Sequence, residues 1–270
     1  MNKIQPYFSV IICCFNSEKF IKETIDSVIN QSFKDWEIVL VDDGSTDSTA
    51  RIVEDYMSQG ININYFFQEN RGFASARNKC LELAKGKWIV IIDHDDICLP
   101  ERLNIHNNQI LNNPNCGFFF GNTIHFSSES SEIKRHFDGF NIESIKLGQE
   151  DVSRSLIESG CFVDSESVMF NKEIALEYAK FNESFRYIAD YDFFIRMGFH
   201  TNFSYTKEVL SKWRIHKSQA TENMKLIYKV ENIKLLAGLF WIKSFGFIYK
   251  LHIAIMLLKS FLRLVLRPNS

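Results

Sequence analysis

"WIVIIDHDD", Trp88 to Asp96, is the stretch on which the fold turns. An uninterrupted apolar run suits a strand covered on both faces, as in the parallel sheets of α/β proteins. Asp93, Asp95 and Asp96 cannot follow that run into a core, because clustered carboxylates repel one another and are not desolvated unpaired. The strand must end at an edge of the fold that faces water, a cation or hydrogen-bond donors.

The pattern extends upstream. "FSVIICC" reads as a first strand, "WEIVLV" as a second and "INYFF" as a third. Amphipathic segments lie between them: Phe20, Ile21, Ile25, Val28 and Ile29 recur at helical spacing with Ser17 placed to cap them, and further helices cover residues 50–57 and 74–84. Such alternation implies βαβ units around a largely parallel, Rossmann-like sheet. Sheets of this kind bind ligands beyond the carboxyl ends of their strands. "CCFNS", "DDGST" and "DHDD" all fall there, so the three clusters are expected to converge. After "PERL" the alternation weakens. "CGFFFGNTIHF" reads as a strand, residues 127–150 as a polar loop, "KEIALEYAKF" as an amphipathic segment and "ADYDFFIRMGF" as the start of a helix, with "VLSKWRIHKSQAT" a last strand and exit loop.

A chain of 270 residues fits one large domain, or a domain with an appendage, and a formal charge of -2 gives no sign of a nucleic-acid binder. The N-terminus does not read as a signal peptide. The six cysteines, Cys13, Cys14, Cys80, Cys98, Cys116 and Cys161, lack CxxC spacing and read as buried free thiols of a reducing compartment.

Two carboxylates in the order Asp-x-Asp at a strand end can share a hard divalent cation, which then takes phosphate oxygens as outer partners. Asp42 and Asp43 point in different directions, so one can face the pocket, while Ser45, Thr46 and Asp47 suit a turn and helix cap. No GxGxxG follows the first strand and no GxxxxGK is present. Phosphate would thus be held by a metal and by cations such as Arg77, not by a glycine-rich cradle.

Three segments together, "SVIICCFNSEKFIKETIDSVINQSFKDWEIVLVDDGSTDST", "ENRGFASARNKCLELAKGKWIVIIDHDDICLPERL" and "ADYDFFIRMGF", resemble the family 2 glycosyltransferases, inverting enzymes of the GT-A fold. The resemblance covers about residues 7–220. It implies that Phe15 packs on the nucleobase, that the Cys13–Asn16 backbone lines its pocket, and that Asp43 bonds the base edge of a uracil. It makes Asp93-His94-Asp95 the Asp-x-Asp element, with Asp95 ligating Mn²⁺ or Mg²⁺, Asp93 at the ribose or a metal-bound water, and Asp96 a structural helper. Arg77 would pair with the diphosphate or an acidic loop residue. "ADYD" matches a Glu-Asp-Tyr-Asp element whose first aspartate is the catalytic base; Asp190 takes that role, with Ala189 in place of the glutamate, and Asp192 with Arg196 forms a structural pair. "WRIHKSQAT" resembles the closing Arg-x-His element, bringing His216 to the metal and Arg214 and Lys217 to the leaving-group charge. The implied reaction is one displacement with inversion, moving a hexose or N-acetylhexosamine from a nucleotide-sugar to a glycan or lipid-linked oligosaccharide. A non-catalytic nucleotide-sugar binding protein of the same fold is the competing reading; nucleotidyltransfer onto a sugar phosphate would bring a glycine-rich N-terminal loop that is missing here.

From Lys225 onward, eight lysines and arginines face one acid, Glu231, and basic residues interrupt the apolar stretch too often for a comfortable membrane span. Lys259, Arg263 and Arg267 recur at i, i+4 and i+8. Residues 221–270 are therefore expected to form amphipathic helices on an anionic cytoplasmic leaflet of the plasma membrane, appended to a catalytic domain of residues 1–220. Packing of this tail on the domain or on a second copy in a homodimer is the alternative.

Overall fold

The computed structural model describes residues 5–130, 132–216, 225–241 and 247–266. Its strands are β1 (Phe8–Cys14), β2 (Trp36–Asp42), β3 (Ile63–Phe67), β4 (Trp88–Ile91), β5 (Ile97–Cys98), β6 (Cys116–Phe126), β7 (Lys134–Arg135), β8 (Met169–Asn171) and β9 (Asn202–Arg214). The helices are α1 (Ile21–Ile29), α2 (Thr49–Ser58), α3 (Phe73–Leu83), α4 (Arg102–Asn112), α5 (Asp151–Ser159), α6 (Lys172–Tyr178), α7 (Ala189–Gly198), α8 (Lys225–Phe240) and α9 (Phe247–Leu266).

One mixed sheet runs β3-β2-β1-β4-β8-β6-β9-β5, with β7 on β6. Its long pairings are parallel: β1 with β2 and β4, β2 with β3, and β6 with β9. The antiparallel ones, β4 with β8, β6 with β8, β6 with β7 and β5 with β9, join two or three residues each. Side chains alternate across this sheet at the strand period of two. Val10, Ile12, Ile38 and Leu40 enter one core with Ile21, Ile25 and Val53, whereas Ile11, Cys13, Val39 and Val41 enter the other with Ala76, Cys80 and Leu81. Both faces are covered, which is why these strands read as unbroken apolar runs.

Several expectations shift in detail. Ser17 does not cap α1 with its side chain: its carbonyl accepts from Phe20 and Ile21 N–H, and its hydroxyl accepts from Phe15 N–H at 3.2 Å. Asp47 does cap, Oδ1 accepting from Thr49 N–H at 3.0 Å. The last strand begins at Asn202 rather than Val209. Of the cysteines, none forms a disulfide; Cys13, Cys14, Cys80 and Cys98 are buried, Cys116 is half-buried and Cys161 is exposed.

The C-terminal helices join the main core. Leu235, Leu236 and Leu239 of α8 and Ile253 of α9 belong to the same apolar cluster as Ile188, Ala189 and Phe193. Their other faces expose Leu226, Ile227 and Tyr228 on α8 and Leu251, Ile255, Leu258, Phe261 and Leu262 on α9. Among the described residues no helix is long and apolar enough to cross a membrane.

Candidate active site

The loops after β1, β2 and β4 meet at the carboxyl edge of the sheet, as their polarity requires. Asn16 stitches the first two together. It takes a left-handed φ of 49°, its N–H donates to Ser45 Oγ at 2.8 Å, and its Oδ1 accepts from Thr46 N–H at 2.8 Å. Gly44 allows the turn, since at φ +89° a Cβ would meet Asn70 N at 2.9 Å. Phe15 stands 46% exposed on this wall, and Cys13 lies beneath it, its thiol 3.7 Å from that of Cys80.

Asp43 turns inward. Its carboxylate is 5% exposed and accepts from Gln68 Nε2 at 2.7 Å, Arg71 N–H at 2.9 Å and Gly72 N–H at 2.8 Å, which fixes the 68–72 loop as a second wall. Most of the acceptor capacity assigned to a nucleobase by resemblance is thus engaged internally. Asp42 is likewise internal, accepting from Ser45 N–H at 2.8 Å and Tyr65 O–H at 3.1 Å.

Arg77 organises the floor. It is 1% exposed, its Nη2 donates to Asp93 Oδ1 at 2.8 Å, and its Nη1 lies 3.5 Å from Asp190 Oδ1. Its guanidinium carbon lies 4.3 Å from the centre of the Phe73 ring, so the cation is desolvated and aimed. Burial pushes the Asp190 carboxyl up to about 6, the Arg77 cation opposing and the Asp93 charge assisting. A carboxyl poised there can take a proton near neutral pH. Asp190 sits in the first turn of α7, and Asp192 and Arg196 one turn on make the expected structural pair at 2.6 Å.

Asp95 and His216 meet directly, Oδ2 to Nε2 at 2.8 Å, and the imidazole lies against Phe20. Arg214 locks this corner: Nε donates to the Asp95 carbonyl at 2.8 Å, and its backbone N–H donates to Asp96 Oδ1 at 2.7 Å. Arg214 also pairs with Glu23. Lys217 lies outside the described residues. Below, buried Arg102 of the "PERL" turn bridges the diverging strands by donating to the Ile91 and Val168 carbonyls at 2.8 and 3.1 Å. His94 sits between, its carbonyl accepting from Thr24 O–H at 3.0 Å.

The expected ligand set is not gathered at one point. Asp93 falls with Asp96 and Glu166, whose ligand atoms lie within 4.8 Å of one another, while Asp95 pairs with His216. Glu166 was not expected. An acid between two serines carries no pattern, yet here it is buried, and burial followed by the Asp93 and Asp164 charges raises its carboxyl well above the ordinary value. Asp96 is raised by burial and then by Glu166, Asp95 and Asp93, and its Oδ2 has no hydrogen-bond partner among the described residues. Such an excess of crowded oxygen acceptors, with one imidazole beside them, fits a hard divalent cation. A second group, His125, His136 and Asp164, lies on β6, just after β7 and in the turn before β8; Asp164 is depressed well below the usual carboxylate range despite burial, by hydrogen bonds from both histidines and Thr123.

A mixed α/β sheet, parallel through its first half, with an Asp-x-Asp element at the end of β4 is the architecture of the GT-A glycosyltransferases. Solved structures agree on the fold. Staphylococcus aureus TarS in complex with UDP-GlcNAc matches with a TM-score of 0.73 at 20% identity, over 96% of this chain and 75% of that one. The mannosyltransferase PcManGT of Pyrobaculum calidifontis, in complex with GDP-Man and Mn²⁺, matches with a TM-score of 0.68 at 19% identity, over 94% and 70%. The chain belongs to glycosyl transferase family 2, whose model matches residues 9–152. An uncharacterized glycosyltransferase of Rickettsia typhi is 32% identical over 227 residues, 82% of this chain and 67% of that protein. A Bacillus subtilis relative named for teichuronic acid biosynthesis, TuaG, is 41% identical over 98 residues, 36% of this chain and 38% of its own.

Proposed function

We propose that this glycosyltransferase is a metal-dependent inverting enzyme that moves a hexose or N-acetylhexosamine from a UDP-sugar to a hydroxyl of a lipid-linked oligosaccharide in bacterial polysaccharide assembly. The observation that carries the reading is the placement of Asp190. A half-buried carboxyl raised to about 6 stands 3.5 Å from an arginine that also holds Asp93 of the Asp-x-Asp element. The base and the donor-side carboxylates therefore share one cation and cannot move independently.

Asp190 accepts the proton of the acceptor hydroxyl as its oxygen attacks the anomeric carbon. Arg77 orients both aspartates, and Arg214 holds the Asp95 backbone so that its carboxylate and His216 face the leaving side. Asp95 and His216, which meet at 2.8 Å, would hold Mn²⁺ or Mg²⁺ beside the separate carboxylate group of Asp93, Asp96 and Glu166, and the ion would neutralise charge on the departing nucleoside diphosphate. One displacement inverts the anomeric centre. Phe15, Cys13 and Asn16 form the wall against which the base lies, with Asp43 holding the opposite wall in place.

TarS bound to UDP-GlcNAc and the name of TuaG support the donor class and the polysaccharide acceptor. The exposed apolar stripe of Leu251, Ile255, Leu258 and Leu262 on α9, with Lys250 and Lys259 beside it, supports peripheral attachment to an anionic cytoplasmic membrane face. The test is a panel of UDP-GlcNAc, UDP-glucose, UDP-galactose and GDP-mannose with Mn²⁺ or Mg²⁺ and membrane-extracted lipid-linked acceptor, scoring nucleoside diphosphate release. Release that EDTA abolishes is expected from one UDP-sugar. Metal-independent turnover, or turnover of GDP-mannose alone, overturns the corresponding part of the assignment.

A further inference from the structure

We infer that Glu231, the one acid of the basic C-terminal segment, is a positioning residue for Asp190 and makes α8 part of the catalytic apparatus; this rests on reading Asp190 as the base. Glu231 reaches from α8 to the three peptide groups that enter α7. Its Oε1 accepts from Arg186 N–H at 2.7 Å, and its Oε2 accepts from Tyr187 and Ile188 N–H at 2.9 and 3.2 Å. The side chain is 5% exposed. Ile188 is the cap residue of α7 and offers no side-chain cap, and the carboxylate fixes its N–H and the two amides before it from outside the helix. Its charge also lies at the positive end of the α7 dipole.

The segment thus held joins Phe181 to the start of α7. Its near end is pinned by Asn78, whose Oδ1 accepts from Phe181 N–H at 2.8 Å and whose Nδ2 donates to the Phe181 carbonyl at 2.9 Å. From there the chain runs to Asp190, two residues past the last amide that Glu231 binds. Leu235, Leu236 and Leu239, lying one and two turns along α8, pack into the cluster that contains Ile188 and Ala189, so the same helix supplies both the anion and the wall behind the turn. Shortening or neutralising Glu231 leaves buried amide donors unpaired and frees the start of α7. Displacing a catalytic group by about 1 Å costs on the order of 100-fold in rate.

The experiment compares Glu231→Gln and Glu231→Asp with the full-length parent. Glutamine keeps one acceptor oxygen but faces an amide donor with its own N–H₂; aspartate keeps the charge but falls a methylene short. Hydrogen exchange of the 185–192 peptide is expected to accelerate in both. With the donor that turns over in the panel above, kcat is expected to fall about 10- to 100-fold while the donor KM stays within about twofold. In an Asp190→Asn background, Glu231→Gln is expected to cost little more, because both act through one group. Gly86→Ala, which strains the backbone at the start of β1 away from α7 and α8, serves as the stability control: it should lower Tm and leave kcat close to the parent value. Unchanged exchange at 185–192, a Glu231→Gln kcat equal to that of Gly86→Ala, or full additivity with Asp190→Asn each overturns the inference. Full activity of Asp190→Asn would instead remove the base assignment, a different failure.

Discussion

Replacing Arg77 by methionine separates the charge of the guanidinium from its bulk. Methionine keeps apolar contact with Phe73 and Phe181 but leaves Asp93 and Asp190 facing each other with no cation between them. Removing one partner from a buried ion pair costs about 3–5 kcal/mol. The two carboxylates are 25% and 22% open to solvent, so water recovers part of this and about 3 kcal/mol is expected. For a chain of this size that is a fall in Tm of roughly 6–12 °C. The pH dependence fixes the mechanism. Asp190 holds its proton to about 6 in the folded state against 3.8 ordinarily, so the native state binds more protons across that window, and its contribution to stability falls as pH rises. Without Arg77 the carboxyl moves higher still, and the penalty grows toward neutral pH and shrinks in acid. Thermal unfolding of the variant and parent in EDTA, from about pH 5 to 8, measures it. A penalty independent of pH, or one below about 1 kcal/mol, would refute the arrangement of charge described here.

Other outcomes follow from the same geometry. Asp190→Asn should lower kcat by about 10²–10⁴ with donor affinity retained, as steady-state kinetics and nucleotide titration would show. The parent kcat/KM should rise with pH through an acidic limb near 6, because only the deprotonated carboxylate accepts a proton, and that limb should vanish in the asparagine variant. Gly86→Ala should destabilise by about 1–3 kcal/mol in denaturant unfolding, since the new Cβ would lie 2.6 Å from Ser9 N and 2.7 Å from Phe8 C, both backbone. The double change Leu258→Glu and Phe261→Glu should weaken sedimentation with anionic phosphatidylglycerol vesicles while leaving Tm near the parent value, because both side chains are exposed.

The first half of the fold is legible because its strands are buried on both sides and cannot hide their apolar runs. The strands around "FSVIICC", "WEIVLV", "INYFF" and "WIVI" fall where the sequence puts them. The second half mixes polar and apolar residues. β9 begins in "NFSYTKE", whose half-exposed side chains show no run, and α5, "DVSRSLIES", is a nine-residue helix behind a polar loop. Local motifs brought residues to the cleft without fixing their partners. Asp43 lies at the edge of the cleft but turns toward a loop 25 residues away, and Ser17 beside α1 bonds through its carbonyl. The contacts of Glu166 and Glu231 were hidden for another reason: each depends on burial against groups distant in sequence, and an isolated glutamate carries no sign of where it will be buried.

The course of β9 sets what this chain can vary. Thirteen residues in one strand run from just after the helix of Asp190 to Arg214, with His216 two residues on, so α7 carries the chain away from the site and β9 returns it to the same edge. An added or lost residue along β9 would slip the register against β6 and turn the Arg214 corner away from Asp95. The 127–150 loop crosses the sheet edge through a two-residue strand and bears no such burden. Loop exchange among relatives should therefore be tolerated between β6 and α5 and rejected between α7 and His216, confining inherited novelty to one side of the molecule while the spacing from α7 to the Arg214 corner is handed down unchanged.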